Sequence, residues 1–292
     1  MSLMRQFQRY PAPALDGARK FMVAGHHVGW VKPAIAERLL THGDSFVGDS
    51  QTITMHPRLA TIEARSAAMA TVLTQWRDAG LVPGWRNELF PVNTGFNEPP
   101  LLTLERAASP IFGILAYGVN VNGFVGRGWG MRVWVATRAA TKAVDPGMLD
   151  LIVGGGQPFG LSVTENLTKE CWEEAGIPAG LAAEALPVGI VTLAFEAPHG
   201  LRIDLQFNFD LELPEDFMPV NQDGEVAGFE LIPVSELLHR LRSQDSFMFD
   251  SAVVNIDFLL RHGFIGPEDP HYLALVAAVR PALPYENAHV AA

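Results

Sequence analysis

Three glycines and three glutamates carry the chemistry this sequence offers. Gly154-Gly155-Gly156 opens a glycine-rich loop, and Glu170, Glu173 and Glu174 follow on a segment that stops at Gly176. If that segment is helical, each residue advances about 100°. Glu173 and Glu174 then fall about 60° to one side and about 40° to the other side of Glu170. Three carboxylates on one face, one turn from the helix end, suit a hard divalent cation such as Mg²⁺. The competing reading is a solvated acidic face, because like charges at this spacing cost only tenths of a kcal/mol on an exposed helix. The glycines favour the site, since they permit positive φ and close backbone approach to a ligand.

The spacing resembles the Nudix (MutT-type) hydrolase signature, G-x5-E-x7-R-E-U-x-E-E-x-G-U, where U is bulky and apolar. Its first glycine falls on Gly155, its R-E-U run on Lys169-Glu170-Cys171, its paired glutamates on Glu173-Glu174 and its closing pair on Gly176-Ile177. Leu161 stands where the family has glutamate, and Lys169 where it has arginine. Lysine keeps the charge but loses the planar fork that clamps a carboxylate. Glu165 is the one nearby acid that could stand in for the missing carboxylate.

The resemblance implies an α/β fold, an α/β/α sandwich around a mixed sheet, that hydrolyses a diphosphate linkage with Mg²⁺ or Mn²⁺. Glu170, Glu173 and Glu174 would hold the metal, with the Gly154 carbonyl as a further ligand and Gly155 and Gly156 against the substrate. Glu225, in Asp223-Gly224-Glu225-Val226, is the candidate base, because related enzymes place an acidic residue on a loop there. Arg138 and Lys142, just before the glycines, are candidate phosphate contacts: arginine offers a bidentate fork and lysine a point charge.

Phe207–Pro214, Asn221–Val226 and Asp257–Gly263 are similar to the thiamine-pyrophosphokinase-related Nudix subgroup. So are Gly29-Trp30-Val31, Trp85–Leu89 and Gly118–Gly123. That likeness covers nearly the whole chain and implies thiamine diphosphate, or its oxidised derivatives, as substrate. Oxidised nucleoside di- or triphosphates and ADP-ribose-like molecules are alternatives. So is a diphosphate-binding module without catalysis, to which the changes at Leu161 and Lys169 give weight.

The chain has 292 residues, 48% of them hydrophobic, and a formal net charge of −11. That charge argues against a broad grip on nucleic acid, but not against a small anion held through a cation. No apolar run is long enough to span a membrane, and the N-terminus lacks a signal-like apolar core. The single cysteine, Cys171, excludes an intrachain disulfide and suits a reducing cytoplasm. The partner expected is a small diphosphate, with no nucleic acid or membrane; a homodimer is left open.

Composition divides the chain into an α-rich N-terminal accessory domain, 1–110, and the hydrolase domain, 111–292. Helices are expected over 33–40 and 59–79, with a short strand at 88–92 and a loop over 93–100. Strands are expected over 112–125, with a turn at Asn122-Gly123, and over 131–137, 148–153, 188–195, 201–213 and 226–233. Further helices follow at 235–242, capped by Ser235, at 251–261 and at 272–279. Trp30, Trp76, Trp85, Trp129 and Trp134 are candidates to stack on a substrate ring, with core packing as the alternative.

Overall fold

The computed structural model describes residues 2–142 and 144–285. The N-terminal half builds β1 (Arg19–Val23), β2 (His26–Val31), α1 (Pro33–Leu40), β3 (Phe46–Gly48), β4 (Thr52–Met55), α2 (Ile62–Asp78), β5 (Leu89–Val92), β6 (Leu102–Glu105) and α3 (Ser109–Phe112). Pro33 starts α1, where its missing N–H costs nothing. Thr61 caps α2 by accepting the Ala64 N–H. Strands β1–β4 form a sheet in the order β2-β1-β4-β3, and β5 and β6 form a separate hairpin. This half holds more strand than its composition suggested, because short strands of mixed burial carry a weak alternation signal. Its core runs from Phe21 to Ile114, with Trp76 packed against Phe112.

The second half comprises β7 (Leu115–Val125), β8 (Arg132–Arg138), β9 (Leu149–Asp150), β10 (Val153–Gly156), α4 (Val163–Ala175), α5 (Ala179–Ala182), β11 (Leu186–Ala197), β12 (Gly200–Glu212), β13 (Val226–Pro233), α6 (Val234–Ser243), α7 (Phe249–Arg261) and α8 (Tyr272–Ala278). Its sheet runs β11-β12-β7-β8-β13, with β12 and β7 parallel. Strands β7 and β8 pair only at Phe124–Val133 and Val125–Arg132. Beyond that they part: β10 takes over the edge of β7, and β9 that of β8. Alternate residues of β7 feed opposite cores. Val119 and Val121 meet Leu167, Cys171 and Ala175 of α4, while Phe124 meets Phe258 of α7. The result is an α/β/α sandwich with α4 on one face and α6, α7 and α8 on the other.

Three expectations are corrected. No turn occurs at Asn122-Gly123. Asn122 is buried and donates to Asn255 of α7 at 3.1 Å, and a Cβ on Gly123 would lie 2.8 Å from Ile152, so this pair is strand interior under a helix. Helix α6 begins one residue earlier, behind Pro233, and Ser235 caps nothing. The glycine-rich loop is itself a strand, β10, and none of Gly154, Gly155 or Gly156 adopts a positive φ.

Candidate active site

Helix α4 is positioned by its own sequence. The Ser162 hydroxyl accepts the Glu165 N–H at 3.2 Å, and the Glu165 carboxylate accepts the Ser162 N–H at 2.8 Å, a reciprocal cap. Gly176, at φ 63°, ends the helix. Leu167, Cys171 and Ala175 form the apolar stripe on the sheet. Glu165 is therefore held at the cap; it does not take the place of the carboxylate missing at Leu161, itself 37% exposed.

A second stripe, Asn166, Glu170 and Glu174, faces the three glycines one by one. Asn166 donates to the Gly156 carbonyl at 2.9 Å. Glu170 lies against Gly155, where an added Cβ would sit 2.5 Å from Glu170 Oε1. Glu174 accepts the Gly154 N–H at 2.7 Å. Only Gly155 faces the helix, and a side chain there would push Glu170 away; a Cβ on Gly154 or Gly156 would point to the opposite side of the strand, toward Asn120 or toward Phe90 and Arg106.

Burial sets the electrostatics. Glu174 is raised well above the usual carboxylate range by desolvation, then by the charges of Asp150 and Glu170; the Gly154 N–H and Lys142 oppose this only in part. Burial also raises Glu170, against the pull of Lys169. Lys169 bridges Glu170 at 3.0 Å and Glu173 at 2.7 Å, and despite partial burial these carboxylates raise its pKa. Cys171 is buried, its thiol pushed up to about 12 by desolvation and by Glu174 and Glu170, so it is a core group and a poor nucleophile.

The three signature carboxylates have different settings: Glu170 and Glu174 turn inward to the glycines, while Glu173 is half-exposed and shares the Lys169 ammonium with Glu170. Among the described residues no group of three or more His, Cys, Asp or Glu is arranged to hold a metal ion. The donor chemistry nevertheless fits a hard cation. Glu170 is paired with Lys169 and Asp150 with Arg138, but the buried Glu174 has only the Gly154 N–H, and the donor atoms of all three acids are oxygen.

The other candidates are committed elsewhere. Arg138 donates to Asp150 at 2.8 Å and to the Val144 carbonyl at 2.9 Å, leaving its side chain 11% exposed. Lys142 is ion-paired with Glu225. Burial alone would raise Glu225, but Lys142, Arg86 and Arg106 bring it below the ordinary range. Trp76 and Trp134 are core residues. Trp30 donates to the Pro284 carbonyl, Trp85 to Asn87, and Trp129 packs edge-on to Phe264. Asp257, Arg261 and His262 join Asp210 in a network under β12.

The sequence reading missed the residues that the N-terminal half lends to this region. Arg86 stands 3.6 Å from Glu225. Arg106 and Phe90 lie against Gly156, where a Cβ would meet Phe90 at 2.5 Å and Arg106 Cζ at 3.0 Å. The run Trp85–Leu89 was a signal for this hairpin; Arg106 carried none.

Residues 1–116 match a family described as a domain of unknown function (DUF4743). Nudix hydrolase 20 and Nudix hydrolase 24 of Arabidopsis thaliana, both chloroplastic, are each 41% identical, with 89% of this chain and 72% of the relative aligned. Among solved structures, the NUDIX domain of Shewanella oneidensis NrtR, complexed with ADP ribose, is 14% identical over 51% of this chain and 90% of its own, at a TM-score of 0.40. By its sequence relatives the chain belongs to the Nudix hydrolase family. It is by class a hydrolase of diphosphate linkages. Among the described residues no helix is long and apolar enough to cross a membrane.

Proposed function

We propose that this chain is a divalent-cation-dependent hydrolase that cleaves the diphosphate of thiamine diphosphate or of its oxidised derivatives beside β10. The observation that carries the reading is the buried Glu174 carboxylate, held by the Gly154 N–H and crowded by Asp150 and Glu170. Such a charge calls for a cation. Glu170, Glu173, Glu174 and the Gly154 main chain would hold Mg²⁺ or Mn²⁺, which when bound supplies charge neutralisation to the diphosphate oxygens.

The chain's own groups do the rest in this reading. Gly155 lets Glu170, and Gly156 lets Phe90 and Arg106, pack close to the strand beside which the diphosphate would sit. Glu225 would accept the proton of the attacking water, with Lys142 and Arg86 keeping it ionised beforehand. That ionisation has a cost, because a depressed pKa makes a weaker base. The ring preference rests on the subgroup likeness of residues 207–214, 221–226 and 257–263. A reducing compartment such as the cytoplasm suits the lone buried Cys171, while the two plant relatives carry a chloroplast designation.

The test is Mg²⁺-dependent hydrolysis of thiamine diphosphate, its oxo form, 8-oxo-dGTP and ADP-ribose, followed by chromatographic separation of the organic products. Preference for a thiamine compound supports the proposal; preference for a nucleotide overturns its substrate. Tight binding without turnover would favour the non-catalytic module, a reading that the Lys169 bridge across Glu170 and Glu173 supports.

A further inference from the structure

We propose that the N-terminal half supplies the phosphate-gripping cations of this active site: Arg86 and Arg106, at the open end of the β5–β6 hairpin, bind the diphosphate beside Gly156. The inference rests on the diphosphate-hydrolase reading above.

The hairpin sets the two arginines side by side. Leu89 pairs with Glu105, and the Arg106 N–H donates to the Glu88 carbonyl at 2.8 Å, so the residues flanking the two strands meet. The Glu105 carboxylate, only 3% exposed, accepts the N–H groups of Arg86 at 2.8 Å and Ala107 at 3.3 Å. A buried acid with two backbone donors pins both arms of the hairpin base.

The same hairpin is fixed to the glycine strand. The Phe159 N–H donates to the Leu89 carbonyl at 2.8 Å. Phe90 fills the space over Gly156, and the Arg106 guanidinium lies 5.4 Å from the Phe90 ring centroid. The charge of Arg106 is felt at Glu170 and at Glu225.

Both guanidiniums have donors to spare. Arginine carries five N–H donors. Arg106 uses one, from Nη1 to Glu88 at 2.8 Å, and its side chain is 42% exposed. The Arg86 guanidinium makes no hydrogen bond among the described residues, only its 3.6 Å ion pair with Glu225. Arg138 and Lys142, by contrast, are each 11% exposed and paired. Lys169 is part-exposed but bridges two carboxylates, so the part-exposed guanidiniums near the glycine strand come from the other core. Two part-exposed forks with free N–H groups suit the non-bridging oxygens of a diphosphate.

The test measures binding of inorganic diphosphate to the full chain in Mg²⁺ by calorimetry, together with turnover of the thiamine diphosphate panel. Arg106→Met and Arg86→Met should each weaken diphosphate binding by about tenfold or more, with melting temperature unchanged. Arg106→Lys should recover part of the loss, and the surface control Arg127→Met none of it should show. Glu88→Gln, which removes the charge that pairs with Arg106 and leaves only a neutral acceptor, should bind diphosphate at least as tightly as the natural chain. Binding within about twofold of the natural chain in both Met variants would overturn the inference. So would a loss in Glu88→Gln equal to that in Arg106→Met, because the arginine would then only hold the hairpin. If Arg106→Met fails to fold, Arg86→Met carries the test alone. A natural chain that neither binds nor cleaves any diphosphate overturns the parent reading as well; one that turns over normally in both Met variants overturns this inference only.

Discussion

The backbone N–H of Gly154 donates to the Glu174 carboxylate at 2.7 Å. This bond is the last of three contacts by which one helical stripe meets three consecutive glycines, after Asn166 on Gly156 and Glu170 on Gly155. It ties a carboxylate raised by burial to the strand that a diphosphate would approach.

Glu174→Gln should keep that bond, because the amide oxygen still accepts the Gly154 N–H. The variant loses a buried charge that desolvation disfavours. It should melt at or above the natural chain without metal, and its turnover should fall by about a hundredfold or more. Calorimetry in parallel should show weakened Mg²⁺ uptake; full activity would remove Glu174 from the ligand set.

Gly155→Ala and Gly154→Ala should differ. A Cβ on Gly155 would sit 2.5 Å from Glu170 Oε1 and 2.6 Å from its Cγ, whereas one on Gly154 finds its nearest neighbour, Asn120 Oδ1, at 3.1 Å. Gly155→Ala should therefore displace Glu170 and cut activity the more strongly. Steady-state rates for the two variants decide this, and equal losses would show that closeness to Glu170 is not what the glycine provides.

Ser162→Ala should remove the cap of α4 and cost about 1 kcal/mol in chemical denaturation. Glu165→Gln should weaken the same cap while leaving Mg²⁺ affinity unaltered, because its carboxylate serves Ser162. A marked loss of Mg²⁺ affinity would return Glu165 to the metal site.

Asp210→Asn probes the network under β12. Burial alone would raise Asp210, but His262 and Arg261 hold it below the ordinary carboxylate range. A depressed folded-state pKa contributes stability above the unfolded value, near pH 4, and loses it as pH falls through the folded value. The variant should be destabilised by about 3 kcal/mol at neutral pH. The gap from the natural chain should close as denaturation is repeated below about pH 4; a gap independent of pH would mean that packing, not charge, sets the effect.

Much of the second half was legible in the sequence. The alternation in Leu201–Leu213 and the apolar stripe of α4 each report a period set by the backbone, so their strand and helix appear at nearly the expected residues. The turn at Asn122-Gly123 was misread because turn-forming residues carry the same letters when a helix buries them in a strand. The four-stranded N-terminal sheet was missed because its strands are short and alternate weakly.

For the site, the sequence by itself determined the acids and glycines and their order, since a fixed helical period puts Glu170 and Glu174 on one stripe whatever surrounds them. Only the tertiary structure decided what each group does there. It turned the glycines into a strand, spent Glu165 on a cap and locked Arg138 onto Asp150. It also brought Arg86 and Arg106 from the other core to Gly156 and Glu225. Charge pairing and close approach act through space between elements distant in the chain, and spacing along the chain does not encode those distances.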